Sequence, residues 1–180
     1  MNTSRAVFLD LNGTLVLPLK QDALEEIYLI PGADEAVRRL ITAGFVCPVV
    51  TIQSRIEKGL FSEQEFRIWF REFFLKCGLD LKGPYVCPHR FNQPCPCKKP
   101  SPLLYERAAK DLRLSLSDSY VIGDSAEDVQ AAVAFGGTGC LVRTGWAVDD
   151  RIVEATKLTA GFVGLTLAEV TEWIIGQKFR

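Results

Sequence analysis

The chain has 180 residues, of which 48% are hydrophobic and 24% charged, and this composition excludes a disordered or fibrous protein. Lys and Arg number 21 against 22 Asp and Glu, so no strong net charge attracts the chain to nucleic acid or to a membrane surface. Because the amino end lacks a signal-peptide pattern and no apolar run approaches the roughly twenty residues of a membrane span, we expect a cytoplasmic monomer that folds as one domain over residues 1–180.

Short apolar runs that predict buried strands alternate with stretches whose apolar residues recur at helical spacing. The predicted strands cover residues 6–9, 45–50, 85–86, 120–123 and 139–142. The predicted helices cover residues 33–43, 62–78, 101–112, 125–135 and 166–175. Strands separated by helices of about ten residues need right-handed crossovers, which give a mainly parallel sheet. We therefore predict a Rossmann-like α/β fold with helices on both faces of the sheet and no separate cap domain.

Two of the predicted helices begin with capping signals. Ser62 and Glu65 have the spacing of a capping box. Ser101 predicts a cap, with Pro102 in the first helical position behind it. Residues 88–100 are rich in proline and predict an irregular loop between the strand at 85–86 and the helix at 101–112.

Polar residues follow three of the predicted strands. Asp10 comes after the first strand, Thr51 after the second and Asp124 after the fourth. The carboxyl ends of parallel strands lie at one edge of a sheet, where open α/β proteins bind their ligands. A single aspartate after a strand is more often a turn residue or a helix cap, so it is the joint occurrence that predicts one shared crevice.

Carboxylates and a glycine in two of these turns predict a site for a metal ion and a phosphate. Gly13, close behind Asp10, lets the backbone approach a ligand and leaves amide groups for an anion. Asp10 and Asp124 would hold a hard divalent cation, for which Mg²⁺ is the natural candidate. Asp128 lies in the first turn of the next predicted helix, where it either belongs to the metal site or stabilises the helix dipole.

A second cluster of metal-binding side chains lies in and beside the proline-rich loop. Cys87, His89, Cys95 and Cys97 offer three thiolates and one imidazole within eleven positions, a set that closes a tetrahedral zinc site and leaves no place for water. We therefore predict a structural Zn²⁺ that orders a loop too poor in apolar residues to order itself. The alternative is a redox pair of Cys95 and Cys97 with an incidental histidine.

Together these motifs resemble a known family. Residues 8–14, Thr51, Lys99 with Pro100, and residues 123–128 resemble the four signature motifs of the haloacid dehalogenase superfamily of phosphatases. Two further segments narrow the resemblance: the TIQS sequence at 51–54 and residues 87–100, which carry the four cysteine and histidine ligands and are called the cysteine-rich loop below. Both are similar to the branch that contains D-glycero-D-manno-heptose bisphosphate phosphatase and histidinol-phosphate phosphatase. The resemblance implies a phosphatase that acts on a small phosphorylated metabolite.

The resemblance also implies a role for each matching residue. Asp10 would attack phosphorus to form an aspartyl-phosphate. Mg²⁺ would be held by Asp10, Asp124 and the backbone carbonyl of Asn12. Thr51 would donate a hydrogen bond to a phosphoryl oxygen, and Lys99 would supply positive charge beside it. The expected substrate-binding residues at the rim are Gln53, Ser54, Arg55 and Lys98.

Asn12 departs from the family's pattern. Members place an aspartate two residues after the nucleophile, where it protonates the leaving oxygen and later activates water, and an amide can do neither. We expect turnover to fall by about 10² to 10⁴ as a result. Three explanations stay open: an engineered inactivation, a natural pseudophosphatase that only binds phosphate, or an enzyme whose leaving group needs no acid.

The expected substrate is a sugar phosphate such as D-glycero-D-manno-heptose 1,7-bisphosphate. Residues 51–54 and 141–145 are similar to the heptose branch. The five-residue gap between His89 and Cys95 is instead similar to the histidinol-phosphate branch. Histidinol phosphate is therefore the alternative substrate.

Overall fold

The computed structural model describes residues 3–20 and 22–177. The strands are β1 (Ser4–Leu9), β2 (Val16–Leu17), β3 (Tyr28–Leu29), β4 (Pro48–Ile52), β5 (Lys82–Cys87), β6 (Leu114–Gly123), β7 (Thr138–Val142) and β8 (Phe162–Gly164). The α-helices are α1 (Ala33–Thr42), α2 (Ser54–Glu57), α3 (Glu63–Lys76), α4 (Leu103–Leu112), α5 (Ala126–Ala134), α6 (Asp150–Thr156) and α7 (Leu167–Gln177). Short 3-10 helices lie at Leu24–Glu26 and Trp146–Val148. Within the described ranges, none of these helices has the length and apolar character needed to cross a bilayer.

Six strands form one parallel sheet in the order β5-β4-β1-β6-β7-β8. β2 and β3 pair antiparallel in a separate small hairpin. This architecture confirms the predicted α/β class with a mainly parallel sheet. Because the six strands run in the same direction, the turns that follow β4, β1, β6 and β7 lie next to one another at the carboxyl edge.

The central strand β1 lies between two hydrophobic cores. Val7 and Leu9 belong to the core that α1, α3 and α7 cover, whereas Ala6 and Phe8 belong to the core that α4 and α5 cover. All four side chains are fully buried. Burial on both faces explains why this run is apolar without alternation, as the sequence predicts for a strand inside a parallel sheet.

The helix ends follow the sequence with one small correction. The capping box at Ser62 is present: the Glu65 N–H donates to Ser62 Oγ at 3.1 Å, and the Ser62 N–H donates to Glu65 Oε2 at 2.7 Å. α4 begins one residue later than predicted, because Pro102 is its N-cap and Leu103 its first residue. Ser101 Oγ still accepts the Leu103 N–H, at 3.3 Å.

Several short elements are absent from the prediction. The strands β2 and β3, the helices α2 and α6, and the edge strand β8 each have seven residues or fewer. β4 also begins at Pro48 instead of residue 45, since Val46 makes only an isolated bridge to Ala6. None of these differences moves a predicted strand end away from the carboxyl edge.

Candidate active site

A cavity of about 450 Å³ opens beside the turns that follow β1, β4 and β6. The predicted site residues that line it are Asp10, Asn12, Thr51, Gln53, Arg55, Lys98, Lys99, Asp124 and Asp128. Ser54 is buried at the start of α2 and is not one of the described residues that line the cavity. The parallel topology therefore gathers side chains that are distant in the sequence.

Three aspartates and one lysine form a buried ionic cluster on one side of the cavity. Lys99 Nζ donates to Asp10 Oδ1 at 2.6 Å and to Asp128 Oδ1 at 2.7 Å. The other oxygen of Asp128 accepts a hydrogen bond from Ser125 Oγ at 2.6 Å. Asp124 completes the cluster, and each of its four members is at most 9% exposed. Little water screens these charges, so they interact more strongly than surface pairs do.

The cluster carries more negative than positive charge. Burial raises the pKa of Asp10 to about 6. Burial, together with the charges of Asp10 and Asp128, raises the pKa of Asp124 to about 8. Burial alone would lower the pKa of Lys99, but the carboxylates of Asp10 and Asp128 raise it well above its ordinary value. Oxygen ligands from the three aspartates lie within 4.8 Å of one another, so the cluster fits a hard divalent cation that would offset their excess charge.

We expect Asp124→Asn to stabilise the protein when no divalent cation is added. The folded state binds the Asp124 proton more tightly than the unfolded state, so this group's contribution to the free energy of unfolding falls as pH rises from about 4 to about 8. The variant should therefore gain melting temperature over the wild type by about 4–8 °C more at pH 8 than at pH 5, for a difference of roughly 2 kcal/mol. Differential scanning calorimetry at both pH values measures this, and an equal gain at both would contradict the raised pKa.

The loop after β7 closes over Asp124. A Cβ atom added to Gly13, where φ is +91°, or to Gly145 would overlap Asp124 Oδ2, so any side chain at either position would displace the carboxylate. The Trp146 N–H donates to the same oxygen at 2.6 Å. Thr144 Oγ1 donates to the carbonyl of Gly13 at 2.6 Å. These contacts fix the position of Asp124, and the sequence analysis did not find them.

A buried glutamine orients Asn12 and Thr51. Gln53 is 2% exposed, and its Nε2 donates to Asn12 Oδ1 at 2.8 Å and to Thr51 Oγ1 at 3.0 Å. Asn12 Nδ2 donates to the carbonyl of Pro18 at 3.2 Å. Both ends of the Asn12 amide are therefore engaged. Since Thr51 Oγ1 accepts from Gln53, its own proton is directed toward another acceptor.

The four predicted zinc ligands converge beside the cavity. The Cys95 sulfur lies 3.6 Å from the Cys87 sulfur and 3.9 Å from the Cys97 sulfur, and His89 Nδ1 lies 3.3 Å from the Cys97 sulfur. A tetrahedron with zinc–sulfur bonds of about 2.3 Å has edges of about 3.8 Å, so the ligand atoms fit Zn²⁺. The Gln53 N–H donates to the carbonyl of Cys87 at 2.8 Å, which connects this loop to the cavity.

Lys98 contributes to the structure of the same loop. Its ammonium group donates to the carbonyls of Arg90, Phe91 and Gln93 at 2.6, 3.0 and 2.6 Å. An ammonium group has three N–H bonds, so all of them are engaged within the loop. Lys98 also lines the cavity, where its charge acts on a ligand through space.

The cavity mouth contains residues that the sequence analysis missed. Trp146 and Lys20 both line it, and the Lys20 ammonium lies 5.1 Å from the centre of the Trp146 ring, within cation–π range. Phe91, which is 68% exposed, lines the same mouth. Lys20 follows the β2 strand and Phe91 lies in the cysteine-rich loop, so neither stands at a sequence pattern that signals a site.

The chain is similar to known phosphatases in sequence and in structure. A family model described as HAD-hydrolase-like matches residues 96–169. The D-glycero-beta-D-manno-heptose-1,7-bisphosphate 7-phosphatase of Escherichia coli (strain K12) is 38% identical over 185 residues, which cover 96% of this chain and 95% of the relative. The protein of the same name from Photorhabdus laumondii is 34% identical over 185 residues, with 96% of each chain covered.

A solved crystal structure has a similar fold over nearly the whole chain. The crystal structure of D,D-heptose 1,7-bisphosphate phosphatase from B. bronchiseptica, complexed with magnesium and phosphate, matches with a TM-score of 0.83 and 25% sequence identity. The match covers 96% of this chain and 99% of that chain. The similarity therefore extends over nearly the whole length of both chains.

Proposed function

Because the chain belongs to the haloacid dehalogenase-like phosphatases, in the family of the D-glycero-beta-D-manno-heptose-1,7-bisphosphate 7-phosphatases, we propose that it removes the 7-phosphate of that sugar bisphosphate. The observation that carries this proposal is the convergence of Asp10, Thr51, Lys99 and Asp124 on one cavity. A nucleophile, a hydroxyl donor, a cation and a metal ligand are what transfer of a phosphoryl group requires.

We assign the nucleophilic role to Asp10. Its carboxylate attacks phosphorus and forms an aspartyl-phosphate. The bond from phosphorus to the sugar oxygen breaks, and that oxygen takes its proton from solvent water, because Asn12 cannot supply one. Lys99, 2.6 Å from Asp10 Oδ1, keeps the carboxylate oriented and offsets the charge of the incoming phosphate. Thr51 donates its proton to a phosphoryl oxygen, since Gln53 already occupies one acceptor position of its hydroxyl.

Asp10, Asp124 and the backbone carbonyl of Asn12 would hold Mg²⁺. The ion supplies positive charge that binds the phosphate and stabilises the charge on the transferring oxygens. Asp128 is held by Lys99 and Ser125, which suits a residue that orients the metal site and balances the lysine. The solved relative's magnesium and phosphate support this assignment.

The rim would bind the rest of the sugar bisphosphate. Arg55 and Lys98 bring positive charge to the cavity wall, which favours a substrate with a second phosphate. Gln53 acts through its hydrogen bonds to Asn12 and Thr51. Ser54 is buried as the first residue of α2, directly before Arg55, and its Oγ makes no hydrogen bond within the described part of the chain.

Asn12 weakens turnover in this proposal. Its amide cannot protonate the departing sugar oxygen, and it cannot take a proton from the water that breaks down the aspartyl-phosphate. Its hydrogen bonds to Gln53 and to the Pro18 carbonyl keep the turn after β1 in place, so the binding site forms although the proton transfers are slow.

The role of Asp10 can be tested by substitution. Asp10→Asn keeps the shape of the side chain and removes the nucleophilic oxygen, so phosphate release from the heptose bisphosphate should fall by about 10³-fold or more. The matched control is Asp80→Asn, an exposed carboxylate that precedes β5 at the opposite edge of the sheet, and it should keep wild-type activity. Equal activity of Asp10→Asn and wild type would overturn the proposed function.

A further inference from the structure

The site holds an amide where proton transfer to the leaving group would take place, and that amide is fixed. Asn12 Oδ1 accepts from Gln53 Nε2 at 2.8 Å, and Asn12 Nδ2 donates to the carbonyl of Pro18 at 3.2 Å. A rotation that exchanged the oxygen and the nitrogen of the amide would break both contacts, so Asn12 is held in one orientation. Its chemistry must work without a proton donor at position 12.

Without a proton donor at position 12, the site favours leaving groups that are stable as anions. A sugar alcohol leaves as a strongly basic alkoxide unless it is protonated, so its departure is slow here. The carboxylate of an acyl phosphate is a stable anion and leaves without a proton. A phosphoryl donor of the acyl phosphate class therefore matches this site better than an alkyl phosphate does.

We propose that this chain has a further activity, in which Asp10 takes a phosphoryl group from small acyl phosphates and keeps it as a long-lived aspartyl-phosphate. The inference rests on the proposed function, since it uses the same nucleophile. A carboxylate oxygen of Asp10 attacks phosphorus, the bond from phosphorus to the acyl oxygen breaks, and its electron pair leaves with the carboxylate product. No proton moves, and one acyl phosphate replaces another, so the step is close to balanced in free energy.

The two other buried carboxylates of the cluster do not replace the missing base, and the exposed Glu127 is tested by substitution. Asp128 is bound by Lys99 and Ser125 at 2.7 and 2.6 Å. Asp124 accepts the Trp146 N–H at 2.6 Å and faces the metal site. Hydrolysis of the aspartyl-phosphate needs a group that takes a proton from water, so the phosphorylated form persists.

Lys99 also favours the phosphorylated form. Lys99 is 5% exposed and its ammonium contacts Asp10 Oδ1 at 2.6 Å, so it would stay beside the phosphoryl oxygens after transfer. A buried ammonium forms a stronger contact with a phosphoryl dianion than an exposed one does. The cluster thus stabilises the product of the transfer as well as the transition state.

The test uses the full-length protein with Mg²⁺ and acetyl phosphate as the phosphoryl donor. Wild type, Asn12→Asp and Asp10→Asn are compared by intact-protein mass, peptide mapping and phosphate release, and melting temperatures establish that each variant is folded. We expect one phosphoryl group per wild-type chain, on the peptide containing Asp10 and removable by hydroxylamine. Its lifetime should exceed that in Asn12→Asp by at least about 10²-fold, and Asp10→Asn should stay unlabelled.

The outcomes separate this inference from the proposed function. If wild type stays unlabelled while Asn12→Asp continuously releases phosphate from acetyl phosphate, the inference is wrong and the proposed function stands. The inference also fails if Glu127→Gln, which removes the exposed carboxylate at the cavity, lengthens the lifetime of the label. If Asp10→Asn is labelled as wild type is, or if Asn12→Asp acts on neither acetyl phosphate nor the heptose bisphosphate, the proposed function fails as well.

Discussion

Replacing Asn12 with aspartate is expected to raise kcat on the heptose bisphosphate by about 10² to 10⁴. The hydrogen bonds at this position explain why the new carboxyl group should act as an acid. One oxygen would accept from Gln53 Nε2, as Asn12 Oδ1 does now, and the other would face the Pro18 carbonyl, which is itself an acceptor. A proton between those two acceptors satisfies both, so the free enzyme would hold the proton that the departing sugar oxygen needs.

Steady-state phosphate release from the heptose bisphosphate measures this gain. The matched control is Asn92→Asp, which adds the same charge at an exposed position of the cysteine-rich loop and should leave kcat unchanged. Peptide mass should first establish that wild-type samples retain Asn12, because an asparagine before a glycine deamidates readily. A change in kcat of less than about threefold would contradict the role that we give to position 12.

Replacing Cys97 with serine is expected to have the largest effect on stability. The substitution removes one of three thiolates from a closed ligand set, so bound zinc should fall from one ion per chain to nearly none. The melting temperature should fall by about 6–12 °C, for roughly 3 kcal/mol in a chain of this length. KM should rise too, since Lys99 follows two positions later and Cys87 is hydrogen-bonded to Gln53 through its backbone.

Cys77→Ser is the matched control for this experiment. Cys77 is half-buried at the end of α3 and lies outside the four-residue cluster, so its replacement should leave the zinc content unchanged. A chelator should lower the melting temperature of wild type and of Cys77→Ser, and have little further effect on Cys97→Ser. Zinc-free wild-type protein that melts at the same temperature as the metal-loaded protein would rule out a structural ion.

The long elements could be predicted because each follows a simple physical pattern. Residues 6–9 of β1 are all apolar because they are buried between two cores, with Val7 and Phe8 facing opposite sides. The start of α3 follows from the reciprocal hydrogen bonds of Ser62 and Glu65. In contrast, β8 contains only three residues, and so short an apolar run has no periodicity to identify it.

The members of the candidate site could be predicted where they stand at strand ends. Asp10 and Asp124 follow neighbouring strands, so parallel pairing alone brings them to the same edge. The fully engaged ammonium of Lys98 could not be predicted, because it depends on the path of the cysteine-rich loop. The contact of the Trp146 amide with Asp124 depends in the same way on how the loop after β7 folds back.

The most direct test of the account is a crystal structure of the protein grown with Mg²⁺ and beryllium trifluoride, which mimics a phosphoryl group and needs no proton donor to bind. We predict beryllium bonded to a carboxylate oxygen of Asp10, fluorides contacting Thr51 and Lys99, and Mg²⁺ between Asp10 and Asp124. Beryllium trifluoride bound elsewhere, or a metal ion coordinated away from Asp124, would contradict the account.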